Sequence, residues 1–417
     1  MPAQWPDGAV LHVNTGLYAG PFTFGQHVRV EGHGEVVLTG EAGQTVVTAS
    51  DTELVGVSVQ GGDVGLEAGA GVRLSKVHFS GQRKRVARVH GALVLEDSEI
   101  LARLEGIDGV GVDRGATLTA RHLTFSGGIR RALQTEGGRL ELEDVRAEGV
   151  KTLVHAVEAD VALDQASARA GTGPAFFFAA GRAHLRAITV QGHEYGLQLA
   201  RGAEVDVDGL TVGGTAQGCV SVLHARLTLA HAELTRCGLG AALELTDSDT
   251  TATLVNVSKT PDLGVLVRQG ALTLTASTFS FISGSRESLG DAVHVRDAKV
   301  RLDGLRVTDV EGSGLFVSSL SEVSVGSLEV ERARQAAVFV ERGSQVRLEK
   351  LLVRGGGGPA VVVPDGARVQ VVSLSVAGGN DLPIYAECRA DAQVEVGRLE
   401  STVPQLESQC ITPLRAR

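Results

Sequence analysis

The chain has 417 residues, of which 43% are hydrophobic but only 4% aromatic, and its net charge is −10. That acidity argues against a nucleic-acid partner, which needs a basic face. No apolar run approaches the roughly 20 residues that span a bilayer, so no transmembrane segment is expected. With 54 Gly, one Met and one Trp, the composition suits many short strands joined by tight turns around a core of Val, Leu, Ala and Ile.

Residues 1–27 do not repeat and are expected to cap the first open edge of a sheet. Met1 to Ala9 lacks the shape of a signal peptide. This fits either a cytoplasmic protein or a mature region whose export signal lies upstream. From 28 to 402 the sequence repeats. The apolar residue that opens the third strand of each unit is placed at Val57, Val77, Ser98, Leu123, Val145, Ala166, Ile188, Leu210, Ala232, Val257, Ser277, Leu305, Leu328, Leu351, Leu374 and Leu399. The interval between successive members stays close to one coil length and is widest between Ser277 and Leu305. The pattern is clearest from Ala336 to Gly379, where it is written twice in succession. Val338, Val340, Val346, Leu348, Leu351 and Val353 return as Val361, Val363, Val369, Val371, Leu374 and Val376. Alternation puts these residues on one face, and a unit this short buries that face only by stacking on its neighbours. About 16 coils at about 4.8 Å each predict a rod of roughly 75 Å. Outgrowths are expected where the intervals widen, at Ile282–Gly290, Leu101–Asp108 and Asp247–Thr251.

Residues 403–417 break the pattern as a tail. Cys410 follows Cys388 by one coil length, so the two should stack in adjacent layers within disulfide reach. Cys219 and Cys237 lie closer together than a full coil, and their pairing stays open. An even cysteine count with one pair at coil spacing favours an oxidising compartment and hence an exported protein. No Cys-x-x-Cys occurs, and neither a metal nor a cofactor is indicated.

Coils of this length with three short strands, and an opening such as HVNTGLYAGPFTFGQHVRVEGHGEVVLTG, resemble the right-handed parallel β-helix proteins of the pectin-lyase-like superfamily. The resemblance covers about Val10 to Arg398. It implies an all-β, single-domain, right-handed parallel β-helix with three parallel sheets. Its members range from polysaccharide lyases, glycoside hydrolases and epimerases to adhesins and other non-catalytic surface proteins, so the resemblance speaks for fold and not for activity. The polygalacturonase-like set of Asn-Thr-Asp and Asp-Asp is absent, and His33-Gly34 and His90-Gly91 stand without it. Asn occurs only at positions 14, 256 and 380, so no Asn ladder can form.

Two constellations remain. Glu141, Glu143, Asp164, His184, Arg186, Asp206 and Asp208 should face outward on the second strand of successive coils. Asp164 and Asp208, placed two coils apart, would stand about 9.5 Å from each other, near the upper limit for an inverting glycosidase. The same residues also read as a solvated charge ladder, with Arg186 neutralising the acids on either side. The second constellation is apolar. Phe316, Phe339, Val362 and Tyr385 recur once per coil and should form an outward column with Leu266 and His294, while Phe176 and Phe178 are placed outward farther up, beside Val154 and Ala156. An exposed apolar stripe usually marks a contact surface, although stacked β-branched and aromatic residues also simply stabilise neighbouring strands, and the chain's own tail or loops could cover them. The leading expectation is therefore a non-catalytic, exported structural or interaction protein, binding a protein partner or itself through one flat face. The alternatives are a carbohydrate-active enzyme (lyase, hydrolase or epimerase) and a glycan-binding module without turnover.

Overall fold

The computed structural model describes residues 6–25, 27–285, 288–364, 366–378, 382–388, 392–405 and 409–414. The fold is a parallel β-solenoid of about 17 turns, with no helix among the described residues. The coils fall into two compact units, Met1–Asp206 and Val207–Arg417. Each is built by the same rule.

In the first unit Leu66, Val110, Leu133, Val154, Phe176 and Leu197 belong to one parallel ladder of first strands, with Ala87 between Leu66 and Val110. All are at most 1% exposed. In the second unit Val265, Val293, Leu315, Val338, Val361 and Ile384 form the equivalent ladder, equally buried. Removing such a side chain from water stabilises the coil by about 1.5–3 kcal/mol, and no coil has an apolar face of its own to bury it against. The segment expected to cap the sheet already joins this scheme. Val10–Ala19 runs parallel to Val28–Gly40, and Phe22–Phe24 runs parallel to Thr45–Ala49.

The corners have a common cause. Lys76, Asp97, His122, Asp144, Gln165 and Ala187 all have φ between 48° and 58°. Each directly precedes the residue that opens a third strand. One left-handed residue between two extended runs turns the chain sharply without a loop. Asp and His accept that region more readily than most side chains, and His122 Nδ1 lies 3.1 Å from Asp97 Oδ1 one coil away. In the second unit His231, Leu254, Ala276 and Gly304 occupy the same corner. The third strand there opens at Val255, because Ala232 stands in register with it. The placement at Val257 is thus corrected by two positions. Asp247–Thr251 is likewise no outgrowth, since it lies inside the continuous strand Ala241–Pro261 and pairs with its neighbour there. The outgrowth at Leu101–Asp108 is present as a break in register between Ala102 and Ile107. Ile282–Gly290 falls partly outside the described residues.

All four cysteines are bridged, Cys219 to Cys237 and Cys388 to Cys410, with Cα atoms 5.2 and 5.3 Å apart. The second bridge fixes the tail as expected. Ile411–Pro413 adds to Gln393–Ser401, and the Gln405 amide donates to Ile384 O and accepts from Ile384 N at 2.9 and 2.8 Å.

The corner rule is testable at Ala187, whose side chain is exposed. A left-handed L-residue costs about 1–2 kcal/mol, while Gly loses roughly 0.5–1 kcal/mol of unfolded-state freedom. Ala187→Gly should therefore stabilise the protein by about 0.5–1 kcal/mol. The measurement is the urea midpoint, which should rise at unchanged slope.

Candidate functional surfaces

The charged strip exists, in the first unit, as an open depression of about 510 Å³ lined by Arg121, Glu141, Glu143, Asp164, His184 and Arg186 among others. Its register is the expected one, with Glu143, Asp164 and Arg186 in one column and Glu141, Ala162 and His184 in the next. The charges are spent on one another. Arg186 donates two hydrogen bonds to Asp164, one of them Nε to Oδ1 at 2.9 Å. Arg139 holds Glu141 at 2.9 Å, Arg121 lies 3.3 Å from Glu143, and His184 lies 3.1 Å from Asp206. Hydrogen bonds from Arg186 keep the Asp164 carboxyl below the usual carboxylate range. A general acid needs the opposite shift. Asp208 belongs to the second unit, where it pairs with His231 at 2.7 Å.

The apolar column is present in the second unit. Leu266, His294, Phe316, Phe339, Val362 and Tyr385 are cross-strand neighbours in succession. His294 stacks on Phe316 with ring centroids 4.6 Å apart, and Phe316 on Phe339 at 5.1 Å with planes only 10° from parallel. Much of each ring face is therefore covered by the next ring, and Leu266 and Val362 are buried. His294 also meets Asp291 at 3.0 Å. The column opens towards Tyr385, which is 41% exposed and hydrogen-bonds Glu387 at 3.0 Å.

Phe176 and Phe178 do not face outward. They are 0% and 2% exposed, as are Val154 and Ala156 in the coil before. Three consecutive Phe residues carry no alternation and so no phase, and a slip of one residue turns every side chain to the other face. The polar residue that fixes the phase is His155, flanked by Val154 and Ala156 and in register with Phe177. Those two are the outward pair, stacked at 4.7 Å with planes 11° apart.

This stack sits beside a cluster that sequence reasoning missed. Asp108, nearly buried, accepts from Arg130 at 3.0 and 2.8 Å and from Arg85 at 3.4 Å. Burial alone would raise its carboxyl, but the two guanidinium groups outweigh that and hold it low. The Arg85 guanidinium lies over Gly111, where a Cβ would come within 3.0 Å of it. Burial, with the charge of Arg131, pushes the His155 imidazole down to about 4. A histidine flanked by small apolar residues, one coil before a Phe, was the available signal.

No protein-family profile matches the chain, and no curated protein does. The fold thus defines the class, a parallel β-solenoid, and no helix among the described residues is long and apolar enough to cross a membrane.

The His155 environment makes a directional prediction. Its folded pKa lies below the unfolded value, so the unfolded chain takes up a proton that the folded chain refuses. Its share of stability is intact above about pH 6.5 and is lost as the pH falls towards 4. His155→Phe keeps a ring against Phe177 and removes the titration. Urea unfolding across this range should show a shallower acid-side decline in the variant than in the wild type.

Proposed function

We propose that the protein is a non-catalytic, exported interaction scaffold that associates with a protein partner or a second copy of itself through the first-strand face of its second unit. The observation that carries this reading is the stack of partly exposed rings His294, Phe316 and Phe339, which continues past the buried Val362 to the exposed Tyr385. Flat, rigid rings presented at strand spacing provide contact area with little entropy to lose. Two disulfides support an oxidising compartment. The mutual neutralisation of Asp164 and Arg186 and the pairing of the neighbouring acids favour binding over hydrolysis.

A second reading, binding of an acidic glycan, is favoured by one observation. An open depression of about 590 Å³ in the same unit is lined by Lys299, Arg301, Arg347 and Arg368 with Gln345 and Gln370. Its second-strand columns place guanidinium and amide groups one strand spacing apart, a fit to repeating carboxylates. Lys299 and Arg347 already pair with Glu322 and Glu349.

The two readings separate in one experiment. Phe316→Ser with Phe339→Ser should weaken association about tenfold or more, the cost of losing a hot spot, measured by sedimentation or partner pull-down. The loss of ring stacking itself should lower stability by only about 0.5–1.5 kcal/mol per pair. Lowered stability with unchanged association would reduce the column to strand packing. Retardation of the protein in a polygalacturonate gel, lost in Arg301→Ser with Arg368→Ser and kept in the Phe variant, would carry the glycan reading instead.

A further inference from the structure

From the geometry at the start of the first unit we infer a binding site for a first-row divalent cation such as zinc, formed by His12 Nδ1, Glu31 Oε2 and His33 Nε2. The site follows from strand register. His12 stands directly opposite Glu31 on the neighbouring parallel strand, and His33 is two positions beyond Glu31, so all three share the outward face. His12 Nδ1 lies 3.0 Å from His33 Nε2 and 3.3 Å from Glu31 Oε2, and the three donor atoms all lie within 4.8 Å of one another. Donors held at about 2.0–2.1 Å from zinc stand about 3.3–3.4 Å apart in a tetrahedron and about 2.8–3.0 Å apart at one face of an octahedron. The two separations from His12 Nδ1 already meet that, and Glu31 Oε2 and His33 Nε2, within 4.8 Å of each other, close on the same ion by side-chain rotation.

The donor set also has outer support. Arg29 Nε donates to Glu31 Oε1 at 2.6 Å and Arg29 Nη1 to Glu53 at 2.8 Å, so the carboxylate is held with its other oxygen turned towards the histidines. Such partners orient metal ligands. The backbone of His33 is fixed too, because its carbonyl accepts from Thr15 Oγ1 at 3.3 Å. Two imidazole nitrogens in hydrogen-bond contact share one ring hydrogen, and moving it to the far nitrogen frees both lone pairs for a cation without loss of a proton. Remaining coordination positions open to water, since His12 and His33 are exposed.

A comparison within the molecule shows that the arrangement is selective. His90 also lies between two acids, Glu67 and Asp113, but it touches them through opposite ring nitrogens, Nε2 and Nδ1. Those donors point away from each other and cannot converge on one ion. The His12 cluster has a structural use as well. No side chain of Val10–Ala19 is fully buried, so this strand has little packing to hold it. A cation bridging it to Val28–Gly40 would act as a staple.

The test is titration of the metal-stripped full chain with zinc(II) and with cobalt(II). The expected result is one ion per chain, a visible cobalt ligand-field spectrum, and slower amide exchange in residues 10–19 on zinc addition. His12→Ala and His33→Gln should each lower affinity about tenfold or more, while His90→Ala should leave it unchanged. Circular dichroism of the exposed-residue variants confirms that they fold, and the paired variants His12→Ala and His33→Gln guard against a local defect at either position. Absence of saturable binding, or binding that survives both variants, would overturn the site.

Discussion

Everything in this molecule depends on parallel strands stacking in register, each on the strand one coil away in sequence. The coil has no apolar face that can be satisfied within itself, so the ladders running through Val154 and Phe176, and through Leu315 and Val338, are the source of its stability. Left-handed corners at residues such as Asp144 and Ala187 let the chain return to the same register without spending residues on loops. A second consequence follows for the surface. Outward side chains are forced into columns about 4.8 Å apart, so each is within reach of the coil above and below. Pairs such as Arg332 with Asp309, or Glu329 held by both Arg306 and Arg354, are products of that spacing. Exposed pairs of this kind contribute little individually. They keep a column of like charges from repelling itself.

The architecture was legible because it is written repeatedly. Val338 and Val340 returning as Val361 and Val363 state the stacking outright, and the spacing of Cys388 and Cys410 extends it to the tail. Legibility failed wherever the local pattern carried no phase. The triplet Phe176 to Phe178 reads equally well in either phase, and only His155 in the preceding coil settles it. One coil after Ala232 two alternating valines, Val255 and Val257, compete to open the strand, and the corner at Leu254 decides between them. Corners themselves are hard to see, because Lys, Gln, Ala and Leu all occupy them and none announces a positive φ. The pairing of Cys219 with Cys237 is open in the sequence for a comparable reason, since their separation of 18 residues is less than one coil.

Candidate sites were legible in composition more than in chemistry. The acids and bases around Asp164 were located correctly, and the charge-ladder reading foresaw the pairing of Arg186 with Asp164, but the hold of Arg139 on Glu141 is seen only in the structure. The aromatic column was found by periodicity, while its internal stacking emerges only in three dimensions. His12, Glu31 and His33 escaped notice because they precede the region where the repeat is regular. Columns that neutralise themselves hold the fold, and columns that do not are the places to look for function.

The most direct test of this account is the distance between spin labels placed at Lys299 and Gln393 in the second unit. These positions are remote in sequence but belong to one ladder, connected through Glu322, Gln345 and Arg368. Four strand spacings place their backbones about 19 Å apart. A narrow distribution centred near that value, broadened only by the label arms, is the result predicted by in-register stacking. A broad distribution, or one centred beyond about 30 Å, is incompatible with four spacings of about 4.8 Å and would contradict the account.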